Sequence, residues 1–163
     1  MVTVTDAAGN SSSESSTNEL TIDLTPPPVP TVSSLLANTG TPVISGTATL
    51  VSGDIFTVTV NTIVYTPAEG SLVVNGDGSW DLTIPAGNVL DESTYEVVAS
   101  VSDAAGNVSS DTSSNELIVD LTPPPAPGVT SQTTNDPTPV ISGTTTVGTG
   151  ICLLYTSPSP RDS

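Results

Sequence analysis

The chain has no histidine and no lysine, and it sets a single arginine, Arg161, against 17 acidic residues, for a formal charge of −16. With no cations to replace phosphate counterions, this balance argues against nucleic acid as a partner. It argues equally against docking on an anionic membrane surface. Without histidine, and with Cys152 as the only cysteine, neither a Ser-His-Asp nor a Cys-His arrangement can be assembled. Zinc, which draws on His and Cys, is left with a poor ligand set. A lone cysteine makes no internal disulfide. Aromatic residues are few: Phe56, Tyr65, Trp80, Tyr95 and Tyr155. No apolar run approaches membrane-span length, so no membrane insertion is expected. The start has neither the basic leader nor the apolar segment of a signal peptide.

The acids are scattered along the chain, which describes a solvated surface and makes divalent cations the obvious counterions. Asp91 and Glu92 are the one adjacent carboxylate pair, the minimum for glycosidic chemistry. They fall in an expected turn near Gly87, and the chain is not expected to be an enzyme.

What the chain does contain is itself, twice. VTDAAGN at 4–10 returns as VSDAAGN at 101–107, and TNELTIDLTPPPVP at 17–30 returns as SNELIVDLTPPPAP at 114–127. Asp6 maps to Asp103, Pro26 to Pro123 and Gly46 to Gly143, each 97 residues apart (103 − 6 = 97). A spacing this long without drift marks a tandem array of small domains rather than a short solenoid repeat. The expected organisation is the end of one repeat at 1–25, a complete repeat at 26–122 and the start of a third at 123–151. Met1 falls inside a repeat, as expected of an internal start in a truncated gene. Residues 152–162, CLLYTSPSPRD, look like an in-frame translation of a sequencing-library adapter, so 152–163 is expected to be non-native.

Within the complete repeat, short alternating runs are separated by turn signals. Residues 42–50 read as a strand with Gly46 at a bulge or a crowded crossing. In 55–61, Phe56, Val58 and Val60 face inward and Thr57 and Thr59 outward. Residues 63–66 form a short strand after a turn. Residues 72–74 and 79–84 flank NGDG and predict a hairpin with Trp80, Leu82 and Ile84 inward. Residues 94–102 predict one strand with Tyr95, Val97, Ala99 and Val101 on one face. DAAGN at 103–107 is a turn with Gly106 at positive φ, and 115–121 closes the unit with Leu117 and Val119 inward. One short helical turn is expected at 89–92. Prolines 26–28 and 123–125 lack amide donors and read as stiff, extended linkers. About seven strands with turns every 8–12 residues predict an all-β, immunoglobulin-like β-sandwich.

GDIFTVTVN, NGDGSWDLTIPAGNVLDESTYEVVASVSDAAGN and NELIVDLTPPPAP resemble the bacterial Ig-like repeats of giant surface adhesins, the extender modules of biofilm-associated and RTX-type adhesins. The resemblance covers residues 1–150, most specifically at the DAAGN turn and the boundary prolines. The linker departs from the single proline of many relatives. The Cys–Trp–Cys signature of antibody domains is absent, and Trp80 reads as a core plug. The resemblance implies an extracellular, cell-surface spacer holding a distal binding domain, with neighbouring repeats as its partners and no receptor identified. Calcium at domain ends, stiffening the array, is implied too. Ca2+ favours the oxygens that acidic loops supply. Asp103 and Asn107 in the turn and Asp120 at the repeat's exit are the candidate ligands, with Asp6, Asn10 and Asp23 as equivalents one repeat earlier; Asp54 and Asp77 are weaker ones. Two other functions remain open. A glycan- or protein-binding module would need an exposed aromatic or a concave polar cluster, and Tyr65 is the candidate. A spacer in a secreted polysaccharide-degrading enzyme follows the same sequence logic. Asn10-Ser-Ser and Asn107-Val-Ser match the N-glycosylation pattern, which a bacterial context discounts.

Overall fold

The computed structural model describes residues 2–14, 16–17 and 20–146; the expectation for the tail from 152 lies outside them. The chain divides between Leu121 and Thr122 into two units.

Period-2 patterning produces the strands of the first unit. β1 (Thr3–Thr5) and β2 (Ser11–Ser13) form an exposed hairpin. They are followed by β3 (Thr31–Val32), β4 (Leu35–Ala37), β5 (Val43–Thr47), β6 (Ile55–Val60), β7 (Ile63–Tyr65), β8 (Leu72–Val74), β9 (Ser79–Thr83), β10 (Ser93–Tyr95), β11 (Val97–Ser102), β12 (Val108–Ser110) and β13 (Leu117–Val119). One layer has the order β3-β5-β9-β8. The other joins the four-stranded β12-β11-β6-β7 to the three-stranded β10-β13-β4. Every pairing in the unit is antiparallel except β4 with β13, where Leu35 lies opposite Leu117 and Ala37 opposite Val119. This is an all-β, immunoglobulin-like sandwich. The predicted hairpin is present as β8–β9, and Asn61 and Thr62, both at positive φ, make the tight two-residue turn from β6 to β7.

The inward residues are those that alternation picks out. Phe56, Val58, Val60, Trp80, Leu82, Ile84, Val97, Ala99, Val101, Leu117 and Val119 are all buried, joined by Ile44 and Leu72. Trp80 meets Phe56 with ring centroids 5.8 Å apart at 55°, a tilted contact that adds to area burial. Gly46 sits directly opposite Trp80 in the β5–β9 register, which is unbroken, so it marks a crowded crossing and not a bulge. A Cβ there would lie 2.5 Å from Trp80 Cζ2 and would collide with the Thr31 carbonyl.

Three local expectations are corrected. No helical turn forms at 89–92; short 3-10 turns occupy Pro67–Glu69 and Ala86–Asn88, each opened by a proline at or beside its first position. The run 94–102 is not one strand but β10 and β11, interrupted at Glu96. The cause lies on the neighbouring strand: Ser100 pairs with Ser110 but Tyr95 pairs with Leu117, so five steps on one side oppose seven on the other. The surplus bulges out at 111–116. Two β11 amides lose their ladder partners there, and carboxylates replace them. Ala99 N donates to Asp111 Oδ1 at 2.8 Å, and Val97 N to Glu116 Oε2 at 3.1 Å. Glu116 is buried for this reason, and Asn115, at φ 59, turns the chain into the bulge while its own N–H donates to Glu96 Oε2. Third, Tyr65 is not exposed: it is buried, and its hydroxyl accepts from Asn88 Nδ2 at 3.1 Å.

The 97-residue sequence period is also a structural period. Thr3↔Ser13 in β1–β2 repeats Ser100↔Ser110 in β11–β12. In the second unit, β14 (Gly128–Val129) pairs with β15 (Gly143–Thr144) in the register of β3 with β5. What differs is cover. Val4 is 70% exposed where its equivalent Val101 is 0%, and Ile141 is 70% exposed where Ile44 is 0%. Among the described residues, the flanking copies have the strand pairs without the facing layer.

Candidate functional site

The DAAGN turn is built twice with the same bonds. Asp103 N donates to Asn107 O and Gly106 N to Asp103 O, with Gly106 at φ 92; Asp6, Asn10 and Gly9, also at φ 92, repeat this. Positive φ at that position is why glycine is required there. Asp103 Oδ1 accepts from the N–H groups of Ala105 and Asn107, both at 2.9 Å, and Oδ2 accepts from Asn107 Nδ2 at 2.8 Å. Asp6 accepts from Ala8 N, Asn10 N and Asn10 Nδ2 at the same three distances. The Asn107 side-chain amide, followed by the backbone N–H groups of the turn, holds the Asp103 carboxyl below its ordinary value of 3.8. The Asn10 amide does the same for Asp6. Because the folded-state values are depressed, these bonds stabilise the fold fully above 3.8 and lose that effect as pH falls through the lower folded values.

The linker brings the turn a third member. Asn107 Nδ2 also donates to the Asp23 carbonyl at 3.1 Å, and Ser109 Oγ donates to the Pro27 carbonyl at 2.6 Å. The turn at 103–107 thus meets the linker that precedes its repeat. The structure unites Asp103, Asn107 and Asp23. Asp120 stands elsewhere, at the exit by β10 and β4, where its N–H donates to Ala37 O and the next amide, Leu121 N, donates to Glu92 Oε2. Asp6 and Asn10 close their own turn. Asp23 and Asp120 are equivalents, so each would serve the turn of the repeat that follows it. Asp120 and Asp103 lie in the same repeat in sequence, but the 84-residue contact from Asn107 back to Asp23 pairs the turn with the preceding linker instead.

Calcium takes about six to eight oxygens. The junction offers the Asp103 carboxylate and the Asp23 carbonyl as oxygen ligands, but Asn107 turns its Nδ2 rather than its oxygen toward both, so this is only part of a shell. Among the described residues no three His, Cys, Asp or Glu side chains gather as a metal group. Asp54 accepts from Val51 N, and Asp77 from the N–H and hydroxyl of Ser79, as turn-closing bonds.

A shallow cleft of about 440 Å³ lies between residues 48–50 and 74–78. No aromatic side chain lines it, and Asn75 and Asp77 there bond to Ser79. Among the described aromatics, Phe56, Tyr65 and Trp80 are buried, and Tyr95 is half-buried with its hydroxyl donating to Asp91 O.

Comparison with curated proteins found no match. A family model described as bacterial Ig-like domain matches residues 33–122, more than half of the chain. The sandwich, its parallel strand pair and its doubled turn are thus those of a chain that belongs to the bacterial Ig-like domain family.

Proposed function

We propose that this chain is a structural extender of a secreted or cell-surface bacterial adhesin, a load-bearing spacer with no bond-making chemistry. The observation that carries the reading is the parallel pairing of β4 with β13, which ties the start of the repeat, just after the two-residue β3, to its last strand. Tension along the array pulls parallel neighbours past each other. Their bonds, including Leu35 N to Glu116 O at 2.7 Å and Asp120 N to Ala37 O at 2.9 Å, are loaded together. An antiparallel hairpin pulled from its open end loses its bonds one at a time. The acidic surface keeps neighbouring rods apart, and no described aromatic is presented for a glycan.

Calcium is part of the proposal. Asp103 and Asp23 would hold it, with Asn107 turning its amide oxygen inward to join them, and Asp6, Asn10 and Asp120 are their equivalents at adjoining junctions. Its chemistry would be to neutralise the carboxylate and tie linker to turn.

Single-molecule pulling of the whole chain tests the clamp, and melting tests calcium. Tethered at its ends, the chain is expected to show one high-force rupture releasing about 300 Å of contour, from ~90 residues at up to 3.6 Å each. Pulled across the β6–β7 hairpin, it is expected to yield at several-fold lower force. Equal forces in the two geometries would remove the clamp. Millimolar Ca2+ is expected to raise the melting temperature above that in EGTA; identical melting removes calcium and leaves the clamp standing.

A further inference from the structure

We infer that the two Asn-x-Ser motifs, Asn10-Ser-Ser12 and Asn107-Val-Ser109, are linker-reading motifs: a neutral two-donor surface whose partner is the proline linker of the preceding repeat. The sequence pattern that suggests glycosylation has a different use here. In a strand, residues i and i+2 share a face, so Asn107 and Ser109 face the same way at the start of β12 while Val108, 58% exposed, faces the other. Both side chains are half-buried under residues 23–27, through the bonds to the Asp23 and Pro27 carbonyls.

The chemistry is complementary. A polyproline segment has no internal hydrogen bonds and leaves its carbonyls free, while its prolines provide no N–H. Residues 26–28 are all proline, so this linker offers acceptors and few donors. Whatever docks it must donate. The described residues contain no Lys, Arg or His, which leaves amides and hydroxyls, and Asn107 and Ser109 supply one of each. The two side-chain hydrogens of Asn107 go to Asp103 Oδ2 and Asp23 O. The nitrogen a glycan would need is therefore taken by the junction.

The 97-residue period repeats the motif. Asn10 and Ser12 occupy the same places in β2 and its preceding turn. There Asn10 Nδ2 donates to Asp6 Oδ2 at 2.8 Å and both residues are exposed. The carbonyls that match Asp23 and Pro27 one period later are those of Asp120 and Pro124. Each repeat thus reads the linker before it and offers the next linker onward, which fixes the angle between successive repeats. This rests on the spacer reading for its purpose but not for its geometry.

The test uses the full chain with Cys152→Ser and nitroxide labels on Thr25→Cys in the linker and Ala68→Cys in the repeat, in EGTA. Double electron–electron resonance is expected to give one narrow distance distribution. Asn107→Ala with Ser109→Ala is expected to widen it about twofold as the linker becomes a free chain. Ser109→Ala alone, which leaves the Asp103 turn whole, widens it part of the way. Val108→Thr on the opposite face leaves it unchanged. A broad distribution in the parent chain, or a width that Ser109→Ala does not move, overturns the inference while the spacer reading stands. Failure of the pulling experiment alone overturns the spacer and leaves the linker contact intact.

Discussion

Replacing Gly46 with valine is expected to abolish the folded repeat at physiological temperature. The Trp80 ring lies across Gly46, and a Cβ would come within 2.5 Å of Cζ2 and 2.7 Å of Cε2 while striking the Thr31 carbonyl of β3. One obstacle is the largest fully buried side chain in the protein and the other is backbone, so neither can swing aside. Overpacking costs about 1–3 kcal/mol where neighbours can relax, and more where they cannot. Valine adds two further methyl groups to that collision. A domain of this size has a total stability of roughly 5–10 kcal/mol. Tryptophan fluorescence reports the outcome directly, because Trp80 is the only tryptophan. Gly46→Ala is expected to lower the urea midpoint sharply, and Gly46→Val to give solvent-exposed emission without denaturant. Native emission from the valine variant would show that β3 and Trp80 are not packed as described.

The second large effect is expected at Glu116. Its Oε2 is the acceptor for the Val97 amide at the bulge, and its Oε1 is buried without a hydrogen-bond partner. Glu116→Ala leaves a buried N–H unpaired, which costs about 1–3 kcal/mol, and opens a void besides. The sum is roughly 3 kcal/mol. Glu116→Gln keeps an acceptor oxygen in reach and is expected to cost less than about 1 kcal/mol. Urea unfolding of the two variants decides it. If the glutamine loses as much as the alanine, the carboxylate is not serving as a substitute strand.

These two sites differ in how far the sequence exposed them. Gly46 could be flagged because a glycine inside an alternating apolar run needs a reason, and the inward sets of β6, β9 and β11 follow from period-2 patterning alone. Glu116 could not. An acidic residue reads as surface, and its burial follows from a register mismatch between two strand pairs that no local pattern encodes. The break at Glu96 has the same origin. β3 and β4 are not legible in the sequence because TVSSLLA at 31–37 has no alternation; their partners β5 and β13 define them. β12, with the residues VSS, is short and polar, as edge strands often are. The burial of Tyr65 is not legible in the sequence because its hydroxyl is satisfied inside the fold by Asn88, from a turn 23 residues away. At the candidate site, the motif gave Asp103 and Asn107 together. The third member, Asp23, read from sequence as belonging to the junction one repeat earlier, meets Asn107 because the linker lies against β12.

The central claim is that the 97-residue unit is a rod segment whose junctions hold their angle. Small-angle scattering from chains of one, two and four consecutive units tests it most directly. Maximum dimension is predicted to grow by a constant increment, roughly 30–40 Å per unit, the span of the Ser93–Ser102 run at ~3.3 Å per residue with its flanking loops. Increments that shrink as units are added, as in a collapsed particle or a freely jointed chain, would contradict it.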